Sequence, residues 1–277
     1  MLTSRDIERI LDQNNDKMIT SLKSAINGLQ RAMEDAVFSK ITTKGNSIPN
    51  IENNIQYLNG SYNELLKTLN NSGYDNAVRE VIANETDMIK QIKALYAKSS
   101  FPMEFTSINT QSLSALQQQQ FAYFHNLGVN AVNSIQKALV DSIIGASETS
   151  YLIQTIQDEL GDKLARYATT YFQTAKNQLL QDVQEMSANN YRDAGVEIYW
   201  EYRGPDDIKT RDECNWALSK RVFTDEEYQE FLSGGGYPHT EPRWNCRHVF
   251  VMIDKKLYDK KESGAESRID NRNFPKS

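Results

Sequence analysis

Val196-Glu197-Ile198-Tyr199-Trp200-Glu201-Tyr202-Arg203 is the stretch at which this chain of 277 residues changes character. Val196, Ile198, Trp200 and Tyr202 alternate with Glu197, Tyr199, Glu201 and Arg203. A period of two in β-branched and aromatic residues predicts a β-strand. Gly204-Pro205-Asp206-Asp207 then turns the chain. Residues 210–219 read as a short helix with Thr210 as its cap. Thr224-Asp225-Glu226-Glu227 opens another, in which Thr224 and Glu227 form a capping box. Gly234-Gly235-Gly236 ends that helix as a flexible turn; it neither follows a strand nor opens a helix, so it is no phosphate loop. Residues 246–253, Cys246 to Ile253, read as a second strand. From Lys255 onward, alternating charge with Ser, Gly and Asn predicts a frayed or disordered tail.

Upstream of residue 196 the period changes from two to between three and four. Ile19, Leu22, Ile26, Leu29, Met33 and Ala36 make one stripe, and Ile51, Ile55, Leu58, Tyr62, Leu65 and Leu69 another. Thr3 and Ser4 stand where an N-cap belongs, with Asp6 in the first turn. Gly45 to Asn50 separates the first two helices, and Asn70-Asn71-Ser72-Gly73 ends the second. A third helix is expected over 75–98, stopped before Pro102. A fourth covers 110–145, and two more follow over 148–160 and 162–192, separated by Gly161. These stripes suit a bundle that buries its own apolar faces, or a long stalk with oligomer contacts. Gln117 to Gln120 reads as a solvated run, and His125 as an isolated surface or core-edge residue.

The fold class expected is therefore mainly α. A long-helix bundle occupies 1–195, a small α+β module with a β-hairpin or small sheet occupies 196–254, and a charged tail occupies 255–277. The residue inventory shifts at the same place. All three tryptophans, both cysteines, two of three histidines and four of six prolines lie beyond residue 199.

Composition excludes several classes. A net charge of −6 disfavours a protein that coats nucleic acid with its whole surface. From residue 197 onward, 14 Lys and Arg face 16 Asp and Glu. Arg203, Lys209, Arg211, Lys220, Arg221, Arg243 and Arg247 leave room for a local patch, with Arg211, Arg221, Arg243 and Arg247 as the candidates for weak DNA contact. No segment approaches the ~18 apolar residues of a membrane span, and the N-terminus lacks the layout of a secretory signal. Two cysteines make no disulfide framework, which points to a reducing cytosol or a particle assembled there.

Cys214, His239, Cys246 and His248 fall within 35 residues of one another. Zn²⁺ accepts thiolate and imidazole together, and a module with two strands has a thin core that a metal would staple. Two other readings stand beside zinc: the cysteines as small buried hydrophobes, or as a disulfide in an extracellular particle. A cysteine nucleophile with His239 or His248 and Asp212 as orienting acid is a further reading, of hydrolase type.

Several segments carry a resemblance. They are Ala194-Gly195-Val196-Glu197, Asp207-Ile208-Lys209-Thr210-Arg211-Asp212-Glu213-Cys214, Lys220-Arg221-Val222-Phe223-Thr224 and Pro242-Arg243-Trp244-Asn245-Cys246-Arg247-His248, after a helix with Ala165-Arg166-Tyr167-Ala168-Thr169-Thr170. In this order they resemble the phage Mu F-like minor head protein family, also called the phage head morphogenesis domain, over roughly residues 160–253. Many relatives have a second cysteine where this chain has Arg211, which makes His239 the fourth candidate ligand. The resemblance implies a minor structural protein, not an enzyme, in the head of a tailed phage or prophage. It would be assembled in the host cytoplasm, sit with the portal and other head proteins, and act in morphogenesis, DNA packaging or ejection. It implies no small-molecule substrate and no membrane. A metal- or cysteine-dependent hydrolase or toxin, and a DNA-binding virion protein, are the alternatives.

Overall fold

Three-four spacing commits the first two-thirds of the chain to helix, and the computed structural model describes residues 4–97, 107–233, 246 and 248–265. Over these the protein is mainly helical, with long helices and one small three-stranded antiparallel sheet. α1 is Ser4–Phe38, α2 Glu52–Asn71, α3 Tyr74–Tyr96 and α4 Ser107–Ile144. α5, Thr149–Ile156, runs through π-helical turns at Gln157–Leu164 directly into α6, Ala165–Asp193. Then come β1 (Tyr199–Arg203), α7 (Asp212–Lys220), β2 (Val222–Thr224), α8 (Asp225–Ser233), β3 (Val249–Ile253) and α9 (Lys255–Ala265). The expected cap at Thr3, the stop of the third helix before Pro102 and the Gly234 to Gly236 turn lie outside the described residues.

Gly161 does not break the helix into separate pieces. A glycine inside a helix costs only about 1 kcal/mol, and Leu160 and Leu164 on either side are buried, so the wider π winding absorbs it.

The chain forms two compact units. One comprises Asp16–Asn84 and Gln117–Thr170; the other comprises Met1–Asn15, Glu85–Leu116 and Tyr171–Ser277. The first is a helical core of Met18, Leu22, Ile26, Leu29, Met33 and Val37 with Leu65, Leu69, Tyr74, Phe124, Ile135 and Leu139, all buried. Its α2 is rotated from the face that the apolar spacing suggested. Ile51, Ile55 and Tyr62 are 37%, 46% and 39% exposed, whereas Asn54 and Ser61 are buried. Hydrogen bonds decide this. The Asn54 amide accepts from the Thr42 backbone N–H (2.7 Å) and donates towards the carbonyls of Thr42 (2.9 Å) and Pro49 (2.8 Å), closing the α1–α2 loop. Buried backbone groups of a loop must be satisfied, and one amide here serves three of them.

The second unit holds the sheet, ordered β2-β1-β3. β1 pairs with both neighbours, Trp200 lying opposite Phe223 on one side and Met252 on the other. One face packs an aromatic core of Trp200, Tyr202, Phe223, Tyr228, Phe231 and Phe250, all at most 3% exposed. The capping box is present: Thr224 N–H donates to Glu227 (2.9 Å) and Glu227 N–H to Thr224 Oγ1 (3.2 Å). Thr210 does not cap α7, whose N-cap residue is Arg211. Its hydroxyl instead donates to the Pro205 carbonyl (3.0 Å) and accepts from Asp207 N–H (3.0 Å), closing the loop after β1.

The outer edge of β3 is covered by side chains of α6. Gln181 Oε1 accepts from Phe250 N–H (3.1 Å), and Gln184 Oε1 from Met252 N–H (2.9 Å). Gln184 Nε2 donates to the Phe250 carbonyl (2.6 Å), and Asn177 Nδ2 to that of Cys246 (2.6 Å). Positions 177, 181 and 184 share one helical face, so α6 stands in for a fourth strand and blunts an exposed edge. The tail is ordered as far as Ala265, contrary to the reading of its charges. α9 covers the sheet face opposite the aromatic core, with Tyr258 and Tyr199 ring centroids 4.5 Å apart. Residues beyond 265 lie outside the described residues.

Candidate metal centre

Two segments deliver the three side chains of the site. Cys214 sits in the first turn of α7, where aligned backbone N–H groups favour a thiolate. Cys246 and His248 lie in the lead-in to β3, just before the strand rather than on it as expected. The three side chains are 2%, 3% and 3% exposed, and their ligand atoms all lie within 4.8 Å of one another. The cysteines are not joined in a disulfide.

The surroundings fix each side chain. His248 Nε2 stands 2.8 Å from the Pro205 carbonyl oxygen. A carbonyl only accepts, so Nε2 is the donor, and in the neutral ring Nδ1 would be the nitrogen with a lone pair to offer. Nδ1 is on the side of Cys246, 4.0 Å from its Sγ. In a tetrahedral site with metal–sulfur bonds of ~2.3 Å, donor atoms stand roughly 3.5–4 Å apart. A ring N–H held by a backbone carbonyl is also the usual support of a metal-binding histidine. Tyr202 stacks on the imidazole at 5.5 Å and 6°, and its hydroxyl donates to Cys214 Sγ at 3.4 Å. Gly204 (φ +155°) lies against His248: a Cβ there would stand 2.7 Å from its Cγ and 2.9 Å from its Cα.

Without a cation Cys246 opposes the ionisation of Cys214. The neighbouring Cys246, then burial, pushes the Cys214 thiol up to about 12 against the weaker opposing pull of His248 and Tyr202. A divalent cation between them would supply the missing positive charge, and two sulfurs with one imidazole nitrogen is a donor set that suits zinc. The residues present therefore fit a metal.

His239, the fourth expected ligand, lies outside the described residues, as do Arg243 and Arg247. Arg211 and Arg221 occupy the N-cap and C-cap positions of α7, at opposite ends of a nine-residue helix. Arg221 is turned onto the buried carboxylate of Glu201, its Nε 3.2 Å from Oε1. Asp212 is exposed on α7, and the far nitrogen of His248 is taken by a carbonyl rather than an acid. His125 stands apart in the other unit, 3.0 Å from Asp75. The spacing of cysteine and histidine found the three side chains that could hold a metal. It missed Tyr202, Gly204, Pro205 and Asn177, whose roles appear only once the loop after β1 and helix α6 are folded against them.

No protein-family model, curated protein or solved structure matches this chain.

Proposed function

We propose that this chain is a minor structural protein of a tailed-phage or prophage head, stationed with the portal and acting in head morphogenesis, DNA packaging or ejection. In this reading Cys214, Cys246 and His248 hold a structural zinc. One observation carries it: two of the segments that resemble the Mu F-like family, 207–214 and 242–248, bring their cysteines and histidine together buried in one cluster. The metal would supply the charge that lets both sulfurs ionise. Cys214, Cys246 and His248 would then tie α7 and the β3 lead-in together, while Pro205 orients the imidazole. A nucleophilic role is the weaker reading, because Cys214 is buried, its thiol is held protonated and Asp212 is exposed.

Partner contact has a candidate surface in the helical unit. Ile51, Ile55, Ile144 and Tyr151 are exposed. Hydrogen bonds from Asn50 to the Ile144 carbonyl and from Thr149 N–H to the Asn46 carbonyl put these segments side by side in that unit. Exposed apolar side chains on neighbouring segments would mark a contact site if they join into one patch. Among the described residues no helix is long and apolar enough to cross a membrane. Co-expression with the portal protein of the same genome, followed by sizing, tests the reading. Co-migration at micromolar concentration that Ile55→Asp weakens is expected; separate elution of two folded proteins contradicts it.

A further inference from the structure

Beside the metal cluster, and sharing Tyr202 and Gly204 with its surroundings, the sheet-bearing unit has a cleft of about 1080 Å³. Arg203, Arg221, Lys260 and Lys261 line it, with Asn215 and Ser219 as neutral polar groups. Glu201 lies beneath, 0% exposed, and three of the cations converge on it. Arg203 Nη2 is 2.7 Å and Arg221 Nε 3.2 Å from Oε1, and Lys261 pairs with Oε2. Asp206 is the carboxylate on the wall. Among the described residues of the cleft, four cations therefore meet two carboxylates, an excess of two positive charges in a protein of net charge −6.

That excess sits partly desolvated. Arg203 and Lys261 side chains are only 19% and 13% exposed. Burial, followed by Arg203 and Arg221 nearby, holds the Lys261 ammonium below its ordinary pKa even though Glu201 pulls it up. One buried carboxylate does not compensate this group of cations; its effect is to hold two guanidinium forks in place. Arg221 also adopts a left-handed backbone (φ +68°) that a non-glycine residue rarely takes. Its N–H bonds to Ala217 and its carbonyl to Tyr202 N–H, which aims the side chain at the cleft floor. Such outliers persist where the surroundings over-determine them, and they cluster at ligand sites.

We propose that this cleft binds a phosphate group borne by a small molecule, with Arg203, Arg221, Lys260 and Lys261 as its cationic clamp. Guanidinium forks match tetrahedral oxyanions by paired hydrogen bonds. A phosphomonoester or inorganic phosphate carries roughly −1.5 to −2 charges at pH 7, close to the excess present, whereas a diester carries half of that. The cleft exceeds one phosphate and falls in the size class of sites for small organic ligands. The assignment stands independently of the head-protein reading.

Calorimetric titration of the full chain at low salt with inorganic phosphate, adenosine monophosphate and duplex DNA tests it. Both small ligands should bind and compete. A monophosphate at least ~10-fold tighter than phosphate assigns an ester, and equal affinities assign free phosphate, since one further good polar contact is worth about that factor. Arg221→Gln should weaken binding about 10-fold or more. Lys260→Gln, at an exposed position where folding is not at stake, should weaken it several-fold, and Lys163→Gln in the other unit should leave it unchanged. Small ligands that bind no better than chloride overturn the proposal. So does folded Lys260→Gln with unchanged affinity, or duplex DNA binding more tightly than either small ligand.

Discussion

Gly204 shows how narrowly single positions determine the cysteine–histidine cluster. A β-carbon there would press on the His248 ring and backbone. Gly204→Ala should therefore lower the melting temperature, costing about 1–3 kcal/mol from backbone strain alone, and weaken metal retention. Gly60→Ala, on α2 with open space around it, should be neutral or gain up to ~1 kcal/mol; equal melting temperatures for the two variants would contradict the account of Gly204. Asp225 gives a second test. Burial opposes its ionisation, but Arg192 (2.7 Å from each carboxylate oxygen) and the Trp200 indole (2.8 Å) overcome that and hold its pKa below the usual value. A depressed acid contributes stability above its unfolded pKa, about 3.9, and loses it as pH falls towards the folded value. Asp225→Asn should accordingly flatten the decline of melting temperature below about pH 4; an unchanged acid limb would show that the pair is not linked to folding. At this scale the sequence announced some roles and hid others. Thr224 and Glu227 stand three apart before a helix, which is a local signature. Thr210 looks like a cap but closes a loop, because its hydroxyl meets Pro205 and Asp207 before any helix N–H.

Helix α6 acts on the sheet through Asn177, Gln181 and Gln184. Replacing Gln184 by Leu would strand the Met252 N–H and the Phe250 carbonyl in a dry environment, at about 1–3 kcal/mol per orphaned group. Amide exchange at Met252 should quicken in Gln184→Leu, along with a lower melting temperature; protection equal to the parent protein would mean that another group covers this edge. Amides at helical spacing on a face otherwise apolar (Phe172, Leu179, Leu180 and Val183 are buried) were the sequence signal for this role, but it has meaning only with a strand edge in view. The helices themselves were legible from apolar spacing because burial drives them. The face of α2 was not, because Asn54 binds the loop behind it and hydrogen bonding outweighed the exposure of Ile51 and Ile55. β2 is three residues long, too short for a period to declare itself, and exists through its pairing with β1. α9 was hidden by its charges: Lys261 turns inward to Glu201, and Tyr258 packs on Tyr199.

On the scale of the whole molecule, a metal held by Cys214, Cys246 and His248 would link α7 to the approach to β3 beside the aromatic core. Cys246→Ser should then lower stability far more than His125→Ala, whose imidazole is part-exposed beside Asp75. Chelation should lower the melting temperature of the parent protein and leave that of Cys246→Ser unmoved. The charge of −6 predicts weak binding to duplex DNA at physiological salt, at or beyond roughly 10⁻⁴–10⁻⁶ M; nanomolar affinity in a gel-shift titration would move nucleic acid to the centre of its function. The most direct test is X-ray absorption at the zinc edge on the purified full-length protein, with metal content measured on the same sample. About one zinc per chain is expected, with a shell of two sulfurs at ~2.3 Å and imidazole nitrogen at ~2.0 Å. A folded protein without stoichiometric metal, or with zinc surrounded by oxygen and nitrogen alone, would contradict it.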